Sequence, residues 1–240
     1  MRWMMSDPGY REDHIHFYSE EIPALLAGHI DRVDWHTMLD AGCGDGCLLY
    51  ALDRKGYLAG TETCALDAAA TRIERVKSLG LDVSYLVEDA CEMTSVPDGS
   101  VDLLLSTQVI EHVPDDERMV REVSRILRAG GTFYMSTVFK KWYGWYYHRC
   151  NGKWTIEPTH LREYTDDRQL TDILERNGLE VTDSSKSLAW YSILDFVLHR
   201  LKTSGWVYRN GVLSLLRKIK IPIPGYYNWE LIGVKRGTVT

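Results

Sequence analysis

The spacing of apolar and polar positions changes several times along the 240 residues, and each change marks an expected element. Over 10–30, Ile15, Tyr18, Ile22, Leu25, Leu26 and Ile30 fall near helical spacing, which predicts a helical lead-in occupying 1–34. A short apolar run then ends in Leu39-Asp40-Ala41, followed by glycines at every second position and by Cys47, Leu48, Leu49 and Leu52 at helix-like spacing. That order reads as strand, tight turn, helix. A second apolar stretch, Tyr57-Leu58-Ala59-Gly60-Thr61, reads as a strand closing on Glu62. Ile73, Val76 and Leu79 share one side of a helix over 68–79, with Gly80 as its stop. Positions 82–87 alternate as a strand, and 101–106 form the continuous apolar run that a parallel sheet buries on both faces. A helix over 115–127 places Met119, Val120, Val123, Ile126 and Leu127 on one face, with acids in its first turn and arginines near its end. A strand over 132–138, a helix over 166–177 and strands at 179–182 and 229–234 complete the pattern. Strand and helix alternating in this way predict an α/β fold with a doubly wound, mostly parallel sheet.

The glycine turn carries the first chemical signal. Glycine is required where the chain takes positive φ or a ligand approaches the backbone, and the amides of such a turn, with the following helix N-terminus, suit an anionic group such as a carboxylate. A dinucleotide-binding turn needs its third glycine at 47, which is Cys47, so that reading weakens. An acid does follow, Glu62, twenty residues after Gly42, placed to accept both hydroxyls of a ribose.

Asp40-Ala41-Gly42-Cys43-Gly44-Asp45-Gly46 resembles the first motif of the class I S-adenosylmethionine-dependent methyltransferases almost letter for letter. The resemblance covers about 35–183 and the final strand. It implies a Rossmann-like seven-stranded sheet with an antiparallel terminal strand, forming a methyltransferase domain over 35–240. It also implies a set of S-adenosylmethionine-binding residues: Asp40, Gly42, Gly44 and Gly46 at the methionine end, Glu62 with Thr63 at the ribose, Asp89 and Ala90 at the adenine, and Gln108 near the methionine. Glu111-His112-Val113-Pro114-Asp115 and His160-Leu161-Arg162-Glu163-Tyr164-Thr165 look most like the branch containing the ubiquinone-biosynthesis O-methyltransferases. His112 and His160 are the candidate catalytic bases, since a hydroxyl acceptor must lose a proton. Plant small-RNA 2′-O-methyltransferases are similar here too. There a glutamate, a Glu-His pair and a later histidine hold a divalent ion, which would make Glu111, His112 and His160 ligands for a cation such as Mg, with Gln108 departing from the first glutamate.

Composition limits the partners. Net charge is −6, but 186–240 carries +7 against −13 for the preceding residues, and the acidic larger part makes nucleic acid an unlikely substrate. Two inserts stand outside the methyltransferase pattern. One, at 139–160, is rich in tryptophan and tyrosine among basic residues, suited to an aromatic, sugar or lipid ligand or to a lid. The other, at 190–227, has short apolar segments bearing Arg200, Lys202, Arg217, Lys218 and Lys220, a pattern open to capping helices or to peripheral membrane contact. No segment resembles a signal peptide and no apolar run approaches the length of a membrane span, so a cytoplasmic location with reduced cysteines is expected. The expected activity is O-methylation of a small-molecule or lipid-linked hydroxyl. N- or C-methylation, and a non-catalytic binding or partner module, are the alternatives.

Overall fold

In the computed structural model the described residues are 18–146, 148–150, 153–192 and 219–237. Their central element is β1 (Thr37–Ala41), a strand buried over its last four residues because both of its faces are covered. It lies between β2 (Glu62–Asp67) and β4 (Val101–Thr107), both parallel to it. Beyond these are β3 (Ser84–Val87) on one side and, on the other, β5 (Leu127–Lys140), β9 (Lys220–Lys235) and β8 (Leu179–Ser192). The sheet order is β3-β2-β1-β4-β5-β9-β8, with β9 antiparallel to both of its neighbours. This is the expected seven-stranded, mostly parallel sheet.

Right-handed crossovers put helices on opposite faces. α1 (Ala24–Ile30), α2 (Cys47–Arg54) and α3 (Ala70–Ser78) cover one face, where Leu26, Leu49, Leu52 and Ile73 pack with Met38, Leu103 and Leu105. α4 (Asp116–Ile126) and α5 (Arg168–Arg176) cover the other, with Met119, Val123, Leu170 and Leu174 against Leu39, Leu104 and Phe133. α4 is the most firmly started helix, because the Asp115 carboxylate accepts the Arg118 amide at 2.8 Å.

Four sequence expectations shift. The stretch 57–61 is a turn, and Gly56 and Gly60 both take positive φ, so β2 begins at Glu62 rather than ending there. Within the described residues the lead-in is helical only from Ala24, after Pro23; 1–17, with His14 and His16, lie outside them. The last two strands are longer than their apolar cores: Trp190–Ser192 and Lys220–Tyr227, expected in an insert, continue β8 and β9 as a paired arm. The remaining part of that insert, 193–218, lies outside the described residues. In the first insert, Phe139 and Lys140 still belong to β5, and β6 (His148–Cys150) with β7 (Lys153–Thr155) forms a small antiparallel hairpin.

Candidate active site

In a parallel sheet the loops at the carboxyl ends of the strands share one edge, and ligands bind there where the strand order reverses. Here that is the edge above β1, β2 and β4. Gly42, Gly44 and Gly46 follow β1 with φ of +83°, +56° and +79°, a conformation that ordinary residues rarely adopt. A Cβ on Gly42 would lie 2.4 Å from Val109 Cγ2, in the loop after β4. Gly46 instead clears space for Val76 and Leu79 from the α3 region. The turn's amides are tied to their own chain: those of Gly42 and Cys43 donate to Leu66 O at 2.7 and 2.9 Å, and that of Gly44 to Asp67 Oδ2 at 3.0 Å. The missing Cβ atoms let Val109, Arg72, Val76 and Leu79 pack directly on the turn. Asp45, 3% exposed and paired with Arg75 at 3.2 Å, anchors it, and the Tyr18 hydroxyl donates to the Asp45 carbonyl.

Asp67 is the acid that the sequence reading missed. It ends β2 beside Ala41, and both of its oxygens accept backbone amides, from Gly44 and Ala69. Glu62 and Thr63, read from sequence as ribose ligands, stand at the amino end of the same strand. Five residues separate Glu62 from Asp67, about 16 Å of extended chain, and Glu62 and Thr63 line a separate groove with Thr37 and Ser84. The missed signal was the pair of glycines, Gly56 before this stretch and Gly60 within it, whose positive φ makes 57–61 a turn.

Asp40 is fully buried, and among the described residues neither carboxylate oxygen has a hydrogen-bond partner. Burial, and then the charge of Asp67, pushes its pKa up to about 7. Asp89 follows β3, accepting the Cys91 amide at 2.8 Å, with Ala90 buried beside it. Gln108 follows β4 at φ +54°, a non-glycine residue in the left-handed region, and its Nε2 donates to Asn228 Oδ1 at 3.0 Å.

The two histidine motifs clasp each other. Arg162 donates to the carbonyls of Ile110, Val113 and Pro114, while the amides of Leu161 and Arg162 reach Glu111 O. The clasp brings the His112 and His160 rings to a 4.8 Å centroid distance, edge to face. One ligand atom each of Glu111, His112 and His160 falls within 4.8 Å of the others. Glu111 is fully buried; Oε2 accepts from the Thr137 hydroxyl at 2.9 Å, and among the described residues Oε1 has no hydrogen-bond partner. Burial pushes its pKa up to about 7. Burial, then the neighbouring His160, lowers the pKa of His112, whose Nδ1 lies 3.3 Å from Thr159 O. Glu163, also unmarked by sequence reasoning, sits 3.5 Å from His160 Nδ1 and 3.3 Å from Lys140 Nζ. Although burial opposes it, hydrogen bonds from the Thr155 hydroxyl and the Ile156 amide, with His160 and Lys140 close by, hold Glu163 down at about 2.

A family model described as a methyltransferase domain matches residues 39–135, which run from β1 through the glycine turn and both faces of the crevice into β5. The chain therefore carries a methyltransferase domain, and its relatives and fold support a class I S-adenosylmethionine-dependent methyltransferase. It is 32% identical over 178 residues to a probable S-adenosylmethionine-dependent methyltransferase of Mycolicibacterium smegmatis, covering 74% of this chain and 64% of that protein. It is 30% identical over 117 residues to a ubiquinone biosynthesis O-methyltransferase of Pseudomonas paraeruginosa, covering 45% of this chain and 50% of that one. The chain thus spans about half to two thirds of the length of these relatives. Among solved structures, the [4+2]-cyclase SpnF superposes with a TM-score of 0.63 at 21% identity, over 88% of this methyltransferase and 79% of that chain. That likeness is one of fold.

Proposed function

We propose that this methyltransferase moves a methyl group from S-adenosylmethionine to a hydroxyl of a small-molecule or lipid-linked acceptor. The observation that carries the reading is the clasped His112–His160 pair, set in the loops beside the strand end that faces the glycine turn. The positive-φ glycine turn at the carboxyl end of β1 and the orphaned Asp40 carboxylate fit the cofactor's methionine end. Asp67 takes the ribose hydroxyls, Asp89 and Ala90 the adenine, and Gln108 the wall next to the methionine. Bound S-adenosylmethionine supplies a methyl already activated by its sulfonium, so the protein's work is to align the acceptor and receive its proton. With the His112 Nδ1–H donating to Thr159 O, Nε2 is left to accept that proton. His160, held by Glu163, stands behind it.

A divalent ion is the second reading, favoured by the Glu111 oxygen that is buried without a partner among the described residues. One carboxylate and two imidazoles suit Mn or Zn better than the Mg expected from sequence. The ion would act as a Lewis acid on the acceptor hydroxyl. The lipid-linked option draws on Trp142, Trp145 and Trp190, which are 91%, 55% and 56% exposed, since tryptophan favours the membrane interface. Formation of S-adenosylhomocysteine with phenols, sugars and isoprenoid lipids tests the proposal. His112→Ala should lower kcat with cofactor affinity unchanged; turnover that survives this substitution removes the base, and turnover indifferent to exhaustive chelation removes the ion.

A further inference from the structure

A recess of about 790 Å³ opens between the chain leading into α1 and the last two strands. Ser19, Glu21, Ser185, Ser187, Asn228 and Glu230 supply its polar lining, over an apolar side that includes Ile22 and Leu25. The volume is that of a small-molecule site rather than of a single ion. Strand register puts it at the active edge: Glu230 pairs with Ser136, which in turn pairs with Thr107, the last residue of β4. Asn228, which lines the recess, also accepts from Gln108, so the two spaces share a wall.

Both ionisable residues of the lining are acids, and Glu230 is the telling one. It is 8% exposed, its Oε1 accepts from the Tyr134 hydroxyl at 2.6 Å, and among the described residues Oε2 has no hydrogen-bond partner. With Oε1 occupied by Tyr134, the other oxygen faces the recess and offers a charged acceptor to a cation or donor bound there. The serine hydroxyls and the Asn228 amide around it match hydroxyl groups, which both donate and accept.

We propose that this recess holds the amine of a polyhydroxylated acceptor, an amino sugar by chemical class, with Glu230 as the ammonium's partner. The inference rests on the acceptor reading above and narrows it. The hydroxyl to be methylated projects past Asn228 toward Gln108, while Glu230 fixes the far end of the molecule and the serines choose its hydroxyl pattern.

Saturation-transfer NMR with glucosamine and glucose tests this, with octyl glucosaminide as the lipid-like arm. Wild-type protein should prefer glucosamine to glucose by at least about tenfold, the worth of one charge-assisted hydrogen bond. Glu230→Gln keeps an acceptor for Tyr134 and should erase the preference with an unchanged circular-dichroism spectrum. Ser187→Lys, at an exposed position, places a tethered ammonium in the recess and should block binding even if Glu230→Gln fails to fold. Tighter binding of octyl glucosaminide than of glucosamine would assign the site to a lipid-linked amino sugar, and equal binding to the free one. Equal binding of glucose and glucosamine, or a preference that survives in both variants, overturns the proposal. Parallel titration with S-adenosylmethionine separates the two readings: cofactor binding without glucosamine binding sinks the recess, and the reverse sinks the methyltransferase activity.

Discussion

Asp40 and Asp102 sit on neighbouring strands near opposite ends, and their surroundings differ in every respect. Asp102, at the amino end of β4, is saturated: Oδ2 accepts the amides of His36 and Thr37, both at 2.8 Å, and Oδ1 accepts from Arg128. Although partial burial pushes the other way, these donors hold its pKa well below the usual carboxylate range. Asp40, at the carboxyl end of β1, has no partner for either oxygen among the described residues and is pushed up to about 7. The amino edge is finished by its own chain and contributes stability. The carboxyl edge leaves buried polar groups open and holds Gln108 in the left-handed region that a non-glycine residue rarely adopts. That open edge is where the proposed cofactor would bind.

That contrast predicts different consequences for substitutions at the two edges. The largest effect should come from Gly42→Ala, which puts a methyl against Val109 at a positive φ. Strain and the filled space together should weaken S-adenosylmethionine binding at least about a hundredfold in calorimetry, or about 3 kcal/mol. Asp102→Ala should act on the other edge alone. Losing the acceptor for Arg128 and two amides should cost about 2–3 kcal/mol, lowering Tm by roughly 5–10 °C with cofactor affinity unchanged.

The pH dependence should have opposite signs. Asp102 has a depressed pKa in the folded state, so its contribution is present above the unfolded value near 3.9 and is lost as pH falls through the folded one. Asp40 has a raised pKa, so the folded chain favours its protonated form, and that contribution is lost as pH rises from about 4 through about 7. Asp40→Asn should therefore raise the Tm of the ligand-free protein by a few degrees at pH 8 and flatten the decline between pH 5 and 8, for a gain of about 1 kcal/mol. It should also weaken the cofactor, because the carboxylate is no longer there to meet it. A neutral-pH Tm unchanged by Asp40→Asn would erase the contrast between the edges.

How far the site was legible follows from the range of the interactions that make it. The glycine turn is legible because its constraint is local: three positive φ values in five residues leave glycine as the residue of choice. The doubly wound, mostly parallel class came from the alternation of strand and helix, and the core positions of α4 from spacing within a single element. Asp67 was missed because an apolar composition at 57–61 outweighed the two glycines that make it a turn. The histidine pair was placed by motif, but the Arg162 clasp that joins the two motifs spans about fifty residues and has no local signature. Asn228 and Glu230 are less legible still. Their position beside Gln108 exists only because β9 returns antiparallel next to β5.

One comparison within a single strand tests the assignment of the ribose acid most directly. Calorimetric titration with S-adenosylmethionine of the wild-type chain, Asp67→Asn and Glu62→Ala compares the two ends of a single strand. The account predicts saturable binding by the wild type, at least about tenfold weaker binding by Asp67→Asn, equivalent to about 1.4 kcal/mol, and no change in Glu62→Ala. No binding by the wild type, or a loss in Glu62→Ala that Asp67→Asn does not share, would contradict it.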